Sequence, residues 1–173
     1  MAIAPGLEVL ESDDQPAGSC VVCGTEILAG TDLRVAAEDA TFGVTEVARG
    51  LYPMAGSSIR LPRQIPYCLA AEIVLLGRHI TAQEALAWGL VNRLVPKGTA
   101  LTEAKRIAGQ LGETGPLALK AITRSLRELQ SDVAESEAML KSDALAAPVF
   151  ASQDAKEGMR AFKEKRKAVF QGK

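Results

Sequence analysis

Histidine occurs once and cysteine three times, and aromatic residues make up 4 % of the chain. Cys20, Cys23 and Cys68 do not build a disulfide framework, which points to a reducing, cytoplasmic setting. The one close pair, Cys20-Val21-Val22-Cys23, could be a redox pair or half of a zinc site. No second pair accompanies it, and Cys68 and His79 are isolated, so no metal is expected. His79 follows Gly77 and reads as an exposed or capping residue. Scarce aromatics beside abundant alanine and leucine favour helices over an all-β core. No apolar run approaches the length of a membrane-spanning helix. The first 33 residues contain no Lys or Arg, so the basic start of a signal peptide is missing too. A net charge of −1 gives no pull toward nucleic acid or an anionic membrane. Neither partner is expected, because the bases are not interleaved with stacking aromatics either.

What is present suits one domain, or one small domain with an appendage. Hydrophobic residues make up 47 % and charged residues 24 % of 173 positions, ordinary for a globular protein. Pro5, Gly6, Asp13, Asp14, Pro16 and Gly18 break up residues 1–22, which read as an atypical leader, mobile or a strand fragment. A short helix from Gly24 should end at Gly30 or Asp32. Leu33–Ala36 alternates as a strand, residues 38–40 turn, and Thr41–Gly43 is a second extended piece. Residues 51–58 form a loop feeding a helix near Ile59–Gln64.

Beyond Pro66 the pattern is mostly helical. One helix carries a Leu69/Ile73/Leu76 stripe and closes at Gly77. Thr81-x-x-Glu84 is a capping box for the next, which ends at Gly89. Leu90–Val95 reads as a brief strand. Helices are expected near 100–111, 116–130, 132–148 and 153–167. The second of these should bury an Ala118/Ile122/Leu126/Leu129 face, with Trp88 and the leucine stripes in the core. From Asp154 onward seven bases face three acids.

Two glutamates stand out, Glu26 in Cys23-Gly24-Thr25-Glu26 and Glu46 in Phe42-Gly43-Val44-Thr45-Glu46. Two carboxylates meeting in a partly apolar cleft can move a proton from water to carbon. Taken singly, Glu26 reads first as a first-turn acid favoured by the helix dipole, and Glu46 as a solvated turn residue.

Residues 24–36, Phe42-Gly43 through Glu46, Pro53–Ser57 with Arg60-Leu61-Pro62, and Gly77–Ala85 resemble the enoyl-CoA hydratases of the crotonase superfamily. So do Gly89-Leu90-Val91-Asn92 and Phe162–Lys167, so the likeness runs in one register from Gly24 to the C-terminus. It implies an α/β fold: a partial crotonase (ClpP-like) ββα spiral over residues 23–65, then a helical C-terminal trimerisation region over 66–173. The implied substrate is an acyl-CoA thioester, with coenzyme A as part of the substrate and no separate cofactor. The implied reaction is addition of water across the 2,3 double bond, in fatty-acid or bulkier side-chain β-oxidation. Glu26 and Glu46 would share the acid and base roles. The backbone N–H groups of Cys23 and Gly24 would stabilise the thioester oxyanion at a helix start. Lys165 and Phe162 would contact CoA, although an amphipathic helix with a wet charged face explains Lys165 equally.

Two departures accompany the likeness. The family usually has three consecutive glycines ahead of the first glutamate, where this chain has Val22-Cys23-Gly24-Thr25. Its second oxyanion donor comes from an upstream segment with no counterpart in residues 1–21, so the likeness implies an N-terminally shortened member. A homotrimer or hexamer is the expected assembly. The rival readings are a non-catalytic oligomerising fragment and, within the family, an isomerase or thioesterase-like variant.

Overall fold

The computed structural model describes residues 2–4, 7–9, 19–21, 23–129 and 134–173. These fall into two compact units, Met1–Ala108 and Gly109–Lys173. The expectation of a mobile leader lies partly outside the described residues. Where the leader is described, it forms strands β1 (Ala2–Ala4), β2 (Leu7–Val9) and β3 (Ser19–Val21).

The first unit continues with α1 (Cys23–Leu28), β4 (Leu33–Ala37), β5 (Thr41–Gly43) and a 3-10 turn at Glu46–Arg49. Then come α2 (Ser57–Gln64), α3 (Tyr67–Leu76), β6 (His79–Thr81), α4 (Ala82–Ala87) and β7 (Arg93–Val95). Helix α5 (Ala100–Gly112) follows. The strands form two sheets, ordered β1-β2-β4-β7 and β3-β5-β6. β4 is parallel to both β2 and β7, and β3 is parallel to β5, whereas β6 returns antiparallel beside β5.

β4 sits between its neighbours and is buried on both faces, as a strand with parallel partners usually is. Its side chains alternate. Val35 packs with Ala100, Ala104 and Ile107 of α5, and Ala36 joins Leu28, Phe42, Val44, Leu61, Ile73, Ile80 and Leu90. Each large side chain so buried contributes about 1.5–3 kcal/mol. Arg34, also buried, donates to Leu90 O at 2.9 Å, Thr31 O at 2.7 Å and Gln64 Oε1 at 3.0 Å. It thereby ties β4 to α2 and to the turn before β7. The expected capping box opens α4: Thr81 Oγ1 accepts from Glu84 N, and Glu84 Oε2 accepts from Thr81 N.

Three expectations need correction. The α3 stripe is not wholly core: Ile73 is buried and Leu69 packs against the core, but Leu76 is 69 % exposed. The core face of α3 runs instead through Ala70 and Ile73, with Val74 beside it. Trp88 is only partly buried, with the Arg78 guanidinium 5.3 Å over its ring. His79, an exposed residue as expected, lies in a strand that the sequence reading did not foresee.

The second unit holds α6 (Pro116–Glu128), α7 (Glu135–Ala151) and α8 (Gln153–Glu164). The expected α6 face stays largely uncovered: Ile122 is 56 % and Leu126 55 % exposed, and no α6 residue is fully buried. Helix α8 stops at Glu164, short of the expected 167, because Lys165 turns left-handed at φ 52°. The following residues then run back along α8. Asp154, buried, accepts from Gln171 N at 2.7 Å and Gly172 N at 2.8 Å. Glu157 pairs with Arg166 at 2.6 Å and accepts from Val169 N.

Candidate active site

β3 and β5 run parallel, with Val21 opposite Gly43, so both strands leave the sheet at the same end. Two residues past β3 the chain starts α1, and three past β5 it starts the 3-10 turn. Glu26 belongs to the first of these departures and Glu46 opens the second. The two are stitched together by Thr25, fully buried, whose Oγ1 accepts from Gly43 N at 3.0 Å. The glutamates, twenty positions apart in sequence, lie five and three residues past the paired Val21 and Gly43 of two adjacent parallel strands.

Both carboxyl groups are withdrawn from water, Glu26 at 3 % and Glu46 at 8 % exposure. Their surroundings differ. Glu26 Oε1 accepts from Ala55 N at 3.0 Å, Ser57 N at 3.3 Å and Ser57 Oγ at 3.1 Å. Three donors on one oxygen occupy its lone-pair directions, which leaves Oε2 as the freer oxygen of the carboxyl group. Among the described residues, Glu46 Oε2 is buried with no hydrogen-bond partner, as is Asp39 Oδ1. An unsatisfied buried acceptor costs about 1–3 kcal/mol, and such a group in a folded protein invites a functional explanation. One carboxyl group is clamped by three protein donors, and the buried oxygen of the other meets none among the described residues.

The clamp depends on the loop before α2. Gly56, its N-cap residue, has φ 100°, a conformation that side chains disfavour. This turn lets the amides on either side, at Ala55 and Ser57, converge on one oxygen. Arg60 Nη1 braces the turn by donating to Ala55 O at 2.8 Å. The same loop exposes Leu51 by 61 % and Met54 by 86 %. In the sequence, Ala55-Gly56-Ser57 falls in the loop expected to feed a helix, and nothing there assigns these residues a part in the site. A glycine followed by a small polar residue at a helix start was the available signal.

Cys23 and Gly24 are the first two residues of α1, where backbone N–H groups have no acceptor within the helix. The Cys23 and Cys20 side chains lie outside the described set, and Cys68 is free and exposed. Among the described residues no cluster of three or more His, Cys, Asp or Glu could hold a metal ion. Phe162, 80 % exposed, and Lys165, the left-handed residue ending α8, belong to the second unit. Among the described residues no helix is long and apolar enough to cross a membrane.

The profile of the enoyl-CoA hydratase/isomerase family matches residues 17–173. Enoyl-CoA hydratase EchA19 of Mycobacterium tuberculosis is 51 % identical over 156 residues, covering 90 % of this chain and 58 % of that protein. Carnitinyl-CoA dehydratase of Salmonella paratyphi A is 37 % identical over 153 residues, 87 % of this chain and 59 % of its own length. Among solved structures, an enoyl-CoA hydratase/isomerase from Mycobacterium abscessus superposes with a TM-score of 0.88 at 46 % identity. That match covers 91 % of this chain and 65 % of the other. The chain therefore spans about three fifths of the length of the relatives it matches, and its mixed α/β architecture is a partial crotonase fold. It belongs to the enoyl-CoA hydratase/isomerase family.

Proposed function

We propose that this chain serves the hydration of a 2,3-enoyl-CoA thioester, with Glu26 and Glu46 as its acid/base pair. The observation that carries this reading is the unequal wiring of two buried carboxyl groups at the same end of adjacent parallel strands. Glu26, its Oε1 saturated, takes a proton from water at Oε2. The hydroxide forms a bond to C3 of the substrate, and the π electrons move through C2 onto the thioester oxygen. Amide hydrogens at the start of α1, from Cys23 and Gly24, meet that developing charge. Glu46 delivers a proton to C2, and solvent returns a proton from Glu26 to Glu46.

Exposed Leu51 and Met54, on the loop that clamps Glu26, suit an apolar and bulky acyl group, such as a long fatty or a steroid side chain. Lys165 and Phe162 are assigned to the CoA moiety, the ammonium to its 3′-phosphate. The coenzyme is part of the substrate, and no metal or separate cofactor enters the reaction. A cytoplasmic location suits a chain whose Cys68 is a free thiol. The exposed apolar residues of the second unit support a homotrimer or hexamer. Neither a membrane nor nucleic acid is proposed as a partner.

A second reading is favoured by the uncovered apolar residues of the second unit, where Ile122, Leu126 and Phe150 are each more than half exposed. On that reading it is a non-catalytic oligomerising component. The test is loss of the conjugated enoyl absorbance of crotonyl-CoA with the purified chain, beside Glu26→Gln and Glu46→Gln. Turnover abolished by either substitution supports hydration. Thioester left unchanged by a folded wild-type chain supports the scaffold.

A further inference from the structure

Ser57 is fully buried at the first position of α2, and a hydroxyl there needs an acceptor. Its Oγ lies 3.1 Å from Glu26 Oε1, and its own N–H lies 3.3 Å from the same oxygen. One residue thus supplies two of the three donors on that atom, and Ala55 N supplies the third. The neighbouring hydroxyl, Ser58, is engaged elsewhere, 2.7 Å from Tyr52 Oη. The arrangement is directional. Donors gathered on one oxygen hold the carboxylate plane and leave the opposite oxygen as the proton acceptor.

We propose that Ser57 is a positioning residue for Glu26. Together with the Ala55 and Ser57 amides, its hydroxyl fixes which carboxylate oxygen is held by the protein and which is presented to water. The proposal deepens the hydration reading and rests on it for the kinetic arm of the test alone. Removing the hydroxyl leaves two amide donors, so Glu26 stays buried but gains rotational freedom about its last bond. A carboxylate held less often in its productive orientation should lower kcat by roughly tenfold, equivalent to about 1.4 kcal/mol in the barrier. KM should stay within about twofold, because Ser57 makes no contact with substrate in this reading.

The experiment compares Ser57→Ala, Ser57→Gly and Ser58→Ala in the full chain. Both Ser57 variants remove atoms, so neither overpacks the site. The first readout is the carboxyl 13C resonance of Glu26, assigned by its disappearance in Glu26→Gln. It should move in both Ser57 variants and stay in place in Ser58→Ala. The second is the split between kcat and KM for crotonyl-CoA, with Ser58→Ala unchanged. A Glu26 resonance that ignores both Ser57 substitutions overturns the proposal. So does a wild-type chain that turns over while the Ser57 variants keep its kcat. A resonance that moves in a chain without turnover upholds the positioning and refutes the hydration reading instead.

Discussion

Glu26 and Glu46 are equally hidden from water but are held in opposite ways, and substitution should separate them. In Glu26→Gln the side-chain carbonyl can still accept from Ala55 and Ser57, so the fold should survive. Turnover should nevertheless fall on the order of 10²–10⁴-fold for loss of a general base. At Glu46 a buried oxygen has no partner to lose among the described residues. Glu46→Met should therefore abolish turnover while holding or raising the thermal midpoint, a trade of stability against activity. A drop of several degrees in a melting scan would contradict this. Phe42 is the control for ordinary packing: it is 1 % exposed within the main cluster. Phe42→Ala should destabilise the chain by about 3–5 kcal/mol in denaturant unfolding.

Among the elements, the loop into α2 and the segment behind α8 decide the most. Gly56→Ala places a side chain at φ 100°, with its Cβ 3.0 Å from Arg60 Nη1. That should destabilise by about 1–3 kcal/mol and weaken the clamp on Glu26 along with it. Behind α8, the Arg166 guanidinium, with the Val169 amide, lowers the Glu157 carboxyl to about 2 from its ordinary 4.5. A depressed acid stabilises the fold fully above its unfolded value and loses that contribution as pH falls toward the folded one. The segment after Lys165 should therefore loosen between roughly pH 4.5 and 2, and amide exchange at Val169 should report it. Unchanged protection at pH 2 would contradict the pairing.

The same elements show where sequence reading stops. The capping box at Thr81 and Glu84, the strand from Leu33 and the piece at Thr41–Gly43 were legible because each is signalled by its own residues. The two glutamates were singled out by the strings around them, and the structure adds that both are buried past the same end of adjacent parallel strands. The end of α8 was not: no glycine or proline marks Lys165, and the turn is fixed by bonds from Asp154 and Glu157 to residues twelve to eighteen positions away. The clamp was missed for the same reason, since Ser57 reaches Glu26 across 31 positions. Leu76, Ile122 and Leu126 follow a helical period yet are exposed, because periodicity shows an apolar face and not what covers it.

For the whole molecule, those uncovered faces make association the expected state. Ile122, Leu126, Met139, Leu140, Phe150, Met159 and Phe162 are all more than half exposed within the second unit. Light scattering of the purified chain should give the mass of a trimer or its double, and a monomer would contradict the reading. The central claim is that two carboxyl groups on neighbouring strands run one reaction as a unit. It is tested most directly by steady-state hydration of crotonyl-CoA with Glu26→Gln, Glu46→Gln and the double variant side by side. Groups acting as a unit are strongly non-additive, so the double variant should be about as slow as the slower single one. Losses that multiply, or a single variant as fast as the wild type, would show that the two glutamates do not share the chemistry.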